Sequence, residues 1–421
     1  MVAKAPAVAD AAPDPGPSVL RDCADAEAYV ASVCFKHGPP RLVGVELEWL
    51  LHDVAAPSAP VDAATIVAAL GTHTPTSLDP SSPAAPLPGG STITIEPGGQ
   101  VELASPPLPD LASLLSTVTA DIDVLHGLLA AANLRPHPRA TDPLRPPRRI
   151  LELPRYRAME ESFDRVGPYG RSGMCSTAAV QVCLDAGERD DIAVRWAALH
   201  AFGPVLLAAF ANSPRLHGRA TGWKSSRWAS WMRADPRRTA PPPHVDGEPA
   251  AAWARRVLDS PLLCVRGEEP WLVPDGVTFA EWVGGALPRP PTTDDLDYHV
   301  STLFPPVRPH GHVEVRYVDA QPGRRWALPV AVLMALLERP EVTDHAMAAC
   351  EPAQGRWVAA ARHGLDDRIL AAAAAEVFEL ACSRLAEIGA PPWLVDDLAD
   401  MTERQVLRGR CPADEPEGAY A

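Results

Sequence analysis

Four stretches of this chain, residues 42–51, 91–105, 176–185 and 311–319, alternate with a period of two, the spacing of a β-strand with unlike faces. In the first, Val43, Val45, Leu47, Trp49 and Leu51 share one side, and Gly44, Glu46, Glu48 and Leu50 the other. In the second, Ile93, Ile95, Val101 and Leu103 oppose Thr92, Thr94, Glu96, Gln100 and Glu102, with Pro97-Gly98-Gly99 as the turn of a hairpin. In the third, Ala178, Val180, Val182 and Leu184 oppose Thr177, Ala179, Gln181 and Cys183. In the fourth, Val313, Val315 and Tyr317 oppose His312, Glu314 and Arg316. A sheet with helices on one side and water on the other explains any one of these strands. It explains the set less well, because the polar faces carry five Glu and one Arg but no Lys. Carboxylates gathered on one face repel each other and rise in pKa. Divalent cations remove that strain, and donors that are all hard oxygens suit Mg²⁺ or Mn²⁺ ions that also hold substrate phosphates. Alternation alone does not say that the strands are neighbours.

Between the strands, residues 108–133, 190–211, 326–337 and 366–388 follow the helical period. The second of these opens on Asp190 and Asp191, which would meet the free N–H groups of a first turn, and stops at Asn212-Ser213-Pro214. The fourth ends at Gly389 before Pro391-Pro392. Strands and helices are mixed without strict βαβα alternation, which predicts an α+β fold with an antiparallel sheet. No repeat or linker divides the chain. The expected organisation is a disordered segment over 1–17, one catalytic domain over 18–410 and a flexible tail over 411–421. Pro and Ala cluster at 5–17, 75–88, 136–147, 240–249 and 288–291, which predicts a disordered start and long surface loops.

Charge narrows the function classes. With 53 Asp and Glu against 38 Lys and Arg, the net charge of −15 disfavours nucleic acid or an anionic membrane as a general partner. Arginines near 145–157 and 215–238 are the candidate positive patches, the first group also reading as a solvated loop. The most apolar stretch, 196–210, contains His200 and Pro204 and is shorter than the roughly 20 residues a bilayer needs, so it predicts a buried helix. Eight Cys without a C-x-x-C pair, and no apolar run within residues 1–20, predict a cytoplasmic protein rather than a zinc ribbon or a secreted disulfide scaffold. No G-x-x-x-x-G-K-[ST] loop and no G-x-S-x-G elbow occurs, which disfavours a P-loop kinase and a serine hydrolase.

Several motifs then line up. Gly44-Val-Glu46-Leu-Glu48 resembles the G-x-E-x-E strand of glutamate–cysteine ligases, and Glu96-Pro-Gly-Gly-Gln100-Val-Glu102 the E-P-G-G-Q-x-E segment of their plant-type branch. Thr177-Ala-Ala-Val-Gln181-Val-Cys-Leu-Asp185 and Phe210-Ala-Asn212-Ser213-Pro214 are similar to the next two family motifs. Arg227-x₃-Trp231-x₃-Asp235-x₂-Arg238-Thr239, Thr302-Leu-Phe-Pro305-Pro-Val-Arg308 and Val313-Glu314-Val-Arg316-Tyr-Val-Asp319 complete the series. Seven motifs in family order span about residues 40–340. The resemblance implies a glutamine-synthetase-like curved antiparallel sheet with a metal-binding concave face and helices packed behind. It implies ATP-dependent joining of L-glutamate to L-cysteine through a γ-glutamyl phosphate, in a branch that supplies ergothioneine synthesis. By motif position, Glu48, Glu96 and Glu102 would hold one Mg²⁺, and Glu46 and Glu314 another (two or more ions, Mn²⁺ being possible). Gln181 stands where other branches place a His ligand. Arg316 is the candidate for the transferred phosphoryl oxygens, and Arg316, Glu48 and Glu102 form the expected catalytic set. Arg227 or Arg238 is the candidate for the glutamate α-carboxylate, because a planar fork suits it. Thr177, Gln100 and Trp231 complete the expected substrate contacts. The chain is expected to be a monomer or weak homo-oligomer. Two readings compete: a ligase using glutamate with another amine, and a non-catalytic ATP or glutamate binder acting as a regulator. The latter predicts loss of the acidic residues, and all five are present.

Overall fold

The computed structural model describes residues 16–242 and 247–416. Six strands form one antiparallel sheet: β1 Val43–Trp49, β2 Thr92–Ile95, β3 Val101–Ala104, β4 Ala179–Leu184, β5 Val307–Pro309 and β6 Val313–Asp319. Their order across the sheet is β2-β3-β1-β4-β6-β5. All four alternating stretches therefore lie in one sheet, and β5 is an added edge strand that alternation had not singled out. The helices used below are α1 Leu111–Ala131, α2 Pro154–Val166, α3 Tyr169–Ser176, α4 Ile192–Ala209, α5 Ser226–Ala234, α6 Pro249–Asp259, α7 Ala327–Leu336 and α8 Arg368–Arg384.

The apolar faces do what their pattern requires. Val45, Leu47, Val101, Leu103, Val180, Val182 and Val315 are buried in one hydrophobic core that draws on residues from Leu20 to Val406. Helix α4 is apolar on every side, and its residues from Ala198 to Ala209 are all buried against that core. Helices α1 and α4 are long and apolar enough to cross a membrane by length and composition, but 72% of the α4 stretch is inside the protein. The expected aspartate cap of α4 is weaker than its sequence suggested: Asp191 is the N-cap residue, with no side-chain hydrogen bond to the first turn.

Two loop expectations are corrected. The proline-rich segment 136–147 is not a surface loop throughout, since Arg139, Ala140, Thr141 and Asp142 are buried. Ala140 donates to Asn212 O (3.2 Å) and accepts from Ala178 N (2.9 Å), so this segment threads between the motif that ends α4 and the start of β4. The expected tail over 411–421 is docked over its first six residues. Cys411 and Pro412 are buried, and Arg139 donates to Pro412 O (2.7 Å), Glu415 O (2.7 Å) and Pro416 O (3.3 Å). Residues 417–421, and residues 1–15 of the expected disordered start, lie outside the described residues. Ser18 is tied down, donating to Thr293 Oγ1 at 3.2 Å. All eight cysteines are free thiols.

Candidate active site

Cross-strand register collects the acidic residues. Glu46 lies opposite Gln181, Glu48 opposite Glu102, and Glu314 opposite Cys183 and Arg308. The hairpin turn adds Glu96. There Gly99 has φ +91°, which suits glycine. A Cβ on Gly98 would meet Cys175 O at 2.2 Å, so glycine alone lets the turn lie against the end of α3. Glu46, Glu48, Glu96 and Glu102 line one cavity of about 310 Å³, together with Gln100, Thr177, Gln181, Arg227, Trp231 and Arg316. Ten of the twelve residues singled out from sequence thus meet at one place.

The four carboxylates are in an unfavourable position as they stand. Burial first, then the neighbouring Glu314 and Glu102, push the Glu46 carboxyl up to about 8. Burial, Glu96 and Glu48 push Glu102 to about 8; burial and Glu48 push Glu96 to about 7; Glu48 is raised by burial too. Among the described residues no three His, Cys, Asp or Glu side chains are arranged to hold an ion in this conformation. The donor chemistry nevertheless fits a hard divalent cation: four carboxylates on one cavity, beside a Gln181 Oε1 that is buried without a hydrogen-bond partner. Gln181 Nε2 donates to Glu48 Oε1 (2.8 Å) and Ala179 N to Glu48 Oε2 (3.0 Å), which fixes that carboxylate at the centre of the group.

A pH dependence follows. A carboxyl held above its ordinary pKa keeps a proton that the unfolded chain releases, so its stability contribution is present below about 4.5 and is lost as pH rises through 8. Seven histidines, among them His137, His200 and His299, are held below their ordinary pKa by burial; the unfolded chain still protonates them up to about pH 7, so they oppose the fall until then. In metal-free buffer, unfolding free energy should therefore fall by on the order of 1–2 kcal/mol between pH 7 and 8, and Mg²⁺ should flatten the fall. Chemical denaturation at several pH values with EDTA or Mg²⁺ checks this; identical slopes in the two buffers would contradict it.

Glu314 does not belong with the other four. Burial would raise its carboxyl, but Arg308 and Arg316 overcome that and hold it at about 2. Arg308 Nε and Nη2 donate to its two oxygens (2.6 and 3.2 Å), and Arg316 Nη1 donates to Oε1. The expected metal ligand is thus clamped beneath two arginines instead of opening on the cavity. Arg308 is opposite Glu314 in register, and Arg316 shares its face by alternation, while Tyr317 reaches into the core to donate to Leu199 O (3.2 Å). Beyond Val315 the strand bulges against β4, the register shifting between Val315 and Val318.

The substrate contacts divide in the same way. Gln100 Nε2 donates to Thr177 O (2.8 Å) and Met174 O (3.3 Å), leaving its Oε1 buried and unpartnered. Trp231 Nε1 donates to Thr177 Oγ1 (3.3 Å). Arg227 donates through Nη2 to Arg316 O (2.8 Å), stands 3.8 Å from Asp319, and has no hydrogen-bond partner at Nε or Nη1. Arg238 is elsewhere: its guanidinium is buried and engaged by Asp235 (3.1 Å), Thr302 Oγ1 (3.0 Å) and Pro261 O. Of the two candidates for a substrate carboxylate, only Arg227 reaches the cavity.

Sequence reasoning gave no role to three residues that matter here. Asp319 is fully buried and accepts from Asn212 N (2.8 Å), Ser213 Oγ (2.6 Å) and Ser225 Oγ (2.8 Å), tying the end of α4 to the start of α5 and to Arg227. Its motif position was visible; its partners were not. Arg308 lies on the unrecognised edge strand. Arg155 lines the cavity and bonds Ser301 (2.9 Å), although it sits in the basic group that also read as a solvated loop.

Comparison with known proteins gives a consistent picture. Residues 42–415 match the family model described as glutamate–cysteine ligase family 2. The chain is 40% identical over 396 residues to "Glutamate--cysteine ligase EgtA" of Mycolicibacterium smegmatis, covering 93% of this chain and 90% of that protein. It is 31% identical over 250 residues to a chloroplastic glutamate–cysteine ligase of Medicago truncatula, covering 57% of this chain and 49% of that one. Among solved structures, a glutamate–cysteine ligase from Francisella tularensis in complex with AMP superposes with a TM-score of 0.51 at 14% identity, covering 90% of this chain and 84% of that one. The last likeness concerns the fold alone.

Proposed function

Because the chain belongs to glutamate–cysteine ligase family 2, we propose that its acidic cavity joins the γ-carboxylate of glutamate to the amine of cysteine with hydrolysis of ATP to ADP and phosphate. The observation that carries this is the gathering of four carboxylates, Arg227 and Arg316 in one cavity. In this reading the sheet is glutamine-synthetase-like, with the acidic face as its concave one. The chain is an ATP-dependent carbon–nitrogen ligase, and its product feeds ergothioneine synthesis in the cytoplasm.

A carboxylate is a poor acceptor for an amine at neutral pH. The glutamate γ-carboxylate therefore attacks the γ-phosphorus of ATP, ADP leaves, and an acyl phosphate forms. The cysteine amine then attacks the acyl carbon, loses a proton and expels phosphate. Phosphoryl transfer needs positioning and charge neutralisation more than covalent help. Glu46, Glu48, Glu96 and Glu102, with Gln181, would hold Mg²⁺, which supplies positive charge to the phosphates when bound. Arg316 presents its free N–H groups to the transferred phosphoryl oxygens, held in place by Glu314. Arg227, whose Nε and Nη1 are buried without a hydrogen-bond partner, receives the glutamate α-carboxylate. Gln100, Thr177 and Trp231 shape the wall beside it.

Purified protein with Mg²⁺, ATP, glutamate and cysteine should release ADP and γ-glutamylcysteine in equal amounts; ADP release with a different amine and none with cysteine would replace the acceptor. Arg227→Lys should raise the KM for glutamate about tenfold or more, because a point charge cannot replace the fork. Arg238→Lys should lower the melting temperature and leave that KM unchanged. If the two variants exchanged phenotypes, the assignment of Arg227 would be wrong.

A further inference from the structure

A second cavity, of about 500 Å³, lies across edge strand β5 from the acidic one. Pro305 and Val307 face it, while Arg308, the next residue along the strand, lines the acidic cavity. Its walls are Trp196 and His200 of α4, Trp253 and Arg256 of α6, and a run of prolines that includes Pro236 and Pro242. Arg256 sets this cavity apart. Its Nη2 donates to Ala240 O (2.6 Å), its Nε is buried without a partner, and among the described residues it forms no ion pair. Burial alone holds its guanidinium down, to about 10. By contrast, Arg227 has Asp319, Arg238 has Asp235, and Arg308 has Glu314 as a carboxylate neighbour. Asp259 borders the second cavity without pairing with Arg256. Beside Arg256, His200 Nδ1 is bonded to Trp196 O (2.9 Å), while His200 Nε2 is buried and unpartnered.

A guanidinium with its Nε buried and no counter-charge among the described residues is unfavourable, and an arriving anion relieves it. The walls specify more than charge. A bare inorganic ion would leave most of the space between two indole rings and several prolines unfilled, whereas a flat apolar body fills it. We propose that this cavity is a binding site for a small organic acid with a flat apolar body, its carboxylate received by Arg256 and its ring seated among Trp253, Pro236 and Pro242. The site is separate from the ligase chemistry, and the proposal does not rest on that reading.

Indole-3-acetate is a suitable probe, titrated calorimetrically into the full-length protein with and without saturating glutamate. Saturable one-to-one binding is expected, unaffected by glutamate and at least about tenfold weaker for Arg256→Gln and for uncharged indole. Arg256→Gln alone should melt no lower than the parent, because it removes an unneutralised charge, whereas loss of a merely structural arginine would lower the melting temperature. Should that variant fail to fold, Ala252→Trp at the cavity wall should block the probe by filling the space. Absence of saturable binding, equal binding by both variants or by indole, or displacement by glutamate would each overturn the proposal.

Discussion

Glu48→Gln should lower kcat/KM for γ-glutamylcysteine formation about 10³-fold while the protein melts within a few degrees of the parent, or higher. The side chain keeps its shape; its carbonyl still accepts from Ala179 N, and its new amide donates to Gln181 Oε1 once Gln181 turns its amide over, so packing is preserved. What it loses is a negative charge at the centre of a cluster that includes Glu46, Glu96 and Glu102. Without cations, that charge opposes folding, because burial and its neighbours already raise every carboxyl in the group. A residue retained only for stability would give the opposite pattern, with lower melting and near-normal turnover. Retention of more than about a tenth of the parental kcat/KM would remove Glu48 from the catalytic set.

Asp319→Ala should cost about 3–5 kcal/mol of unfolding free energy, among the larger effects a single substitution can have here. Three donors, Asn212 N, Ser213 Oγ and Ser225 Oγ, would lose their acceptor in a fully buried space. Arg227, also buried, would lose the carboxylate nearest to it. Part of the cost comes from that guanidinium, which keeps Glu48 as its carboxylate neighbour, and the rest from three buried donors left without an acceptor. Activity should fall as well, because Arg227 would no longer be held toward the cavity. Urea denaturation measures the first effect; a loss below about 1 kcal/mol would mean that water enters and replaces the carboxylate.

Particular residues show where each kind of reasoning stops. Period-two alternation told which side of a strand Glu46, Glu48, Glu102 and Glu314 occupy, because pleating alternates side chains whatever surrounds the strand. The turn at Pro97-Gly98-Gly99 and the end of α4 at Asn212-Ser213-Pro214 were equally legible, because glycine and proline act through local backbone sterics. Arg227 and Arg238 were indistinguishable on that basis. Both are arginines in one motif, and only their partners separate them: Asp319 beside an open cavity for one, Asp235, Thr302 and Pro261 on all sides for the other.

The mixed architecture, the acidic faces of the strands and the family were all readable from the order of residues. Each follows from periodicity or from groups close along the chain. Only the folded chain reveals that β1 pairs with both β3 and β4, that Arg308 arrives on an edge strand to clamp Glu314, and that residues 139–142 and 411–416 are packed against the end of α4. Those outcomes depend on contacts between residues that are mostly tens to hundreds of positions apart. A side chain's charge state and partners there are set by what the whole fold brings within a few ångströms, and no local pattern encodes that distance.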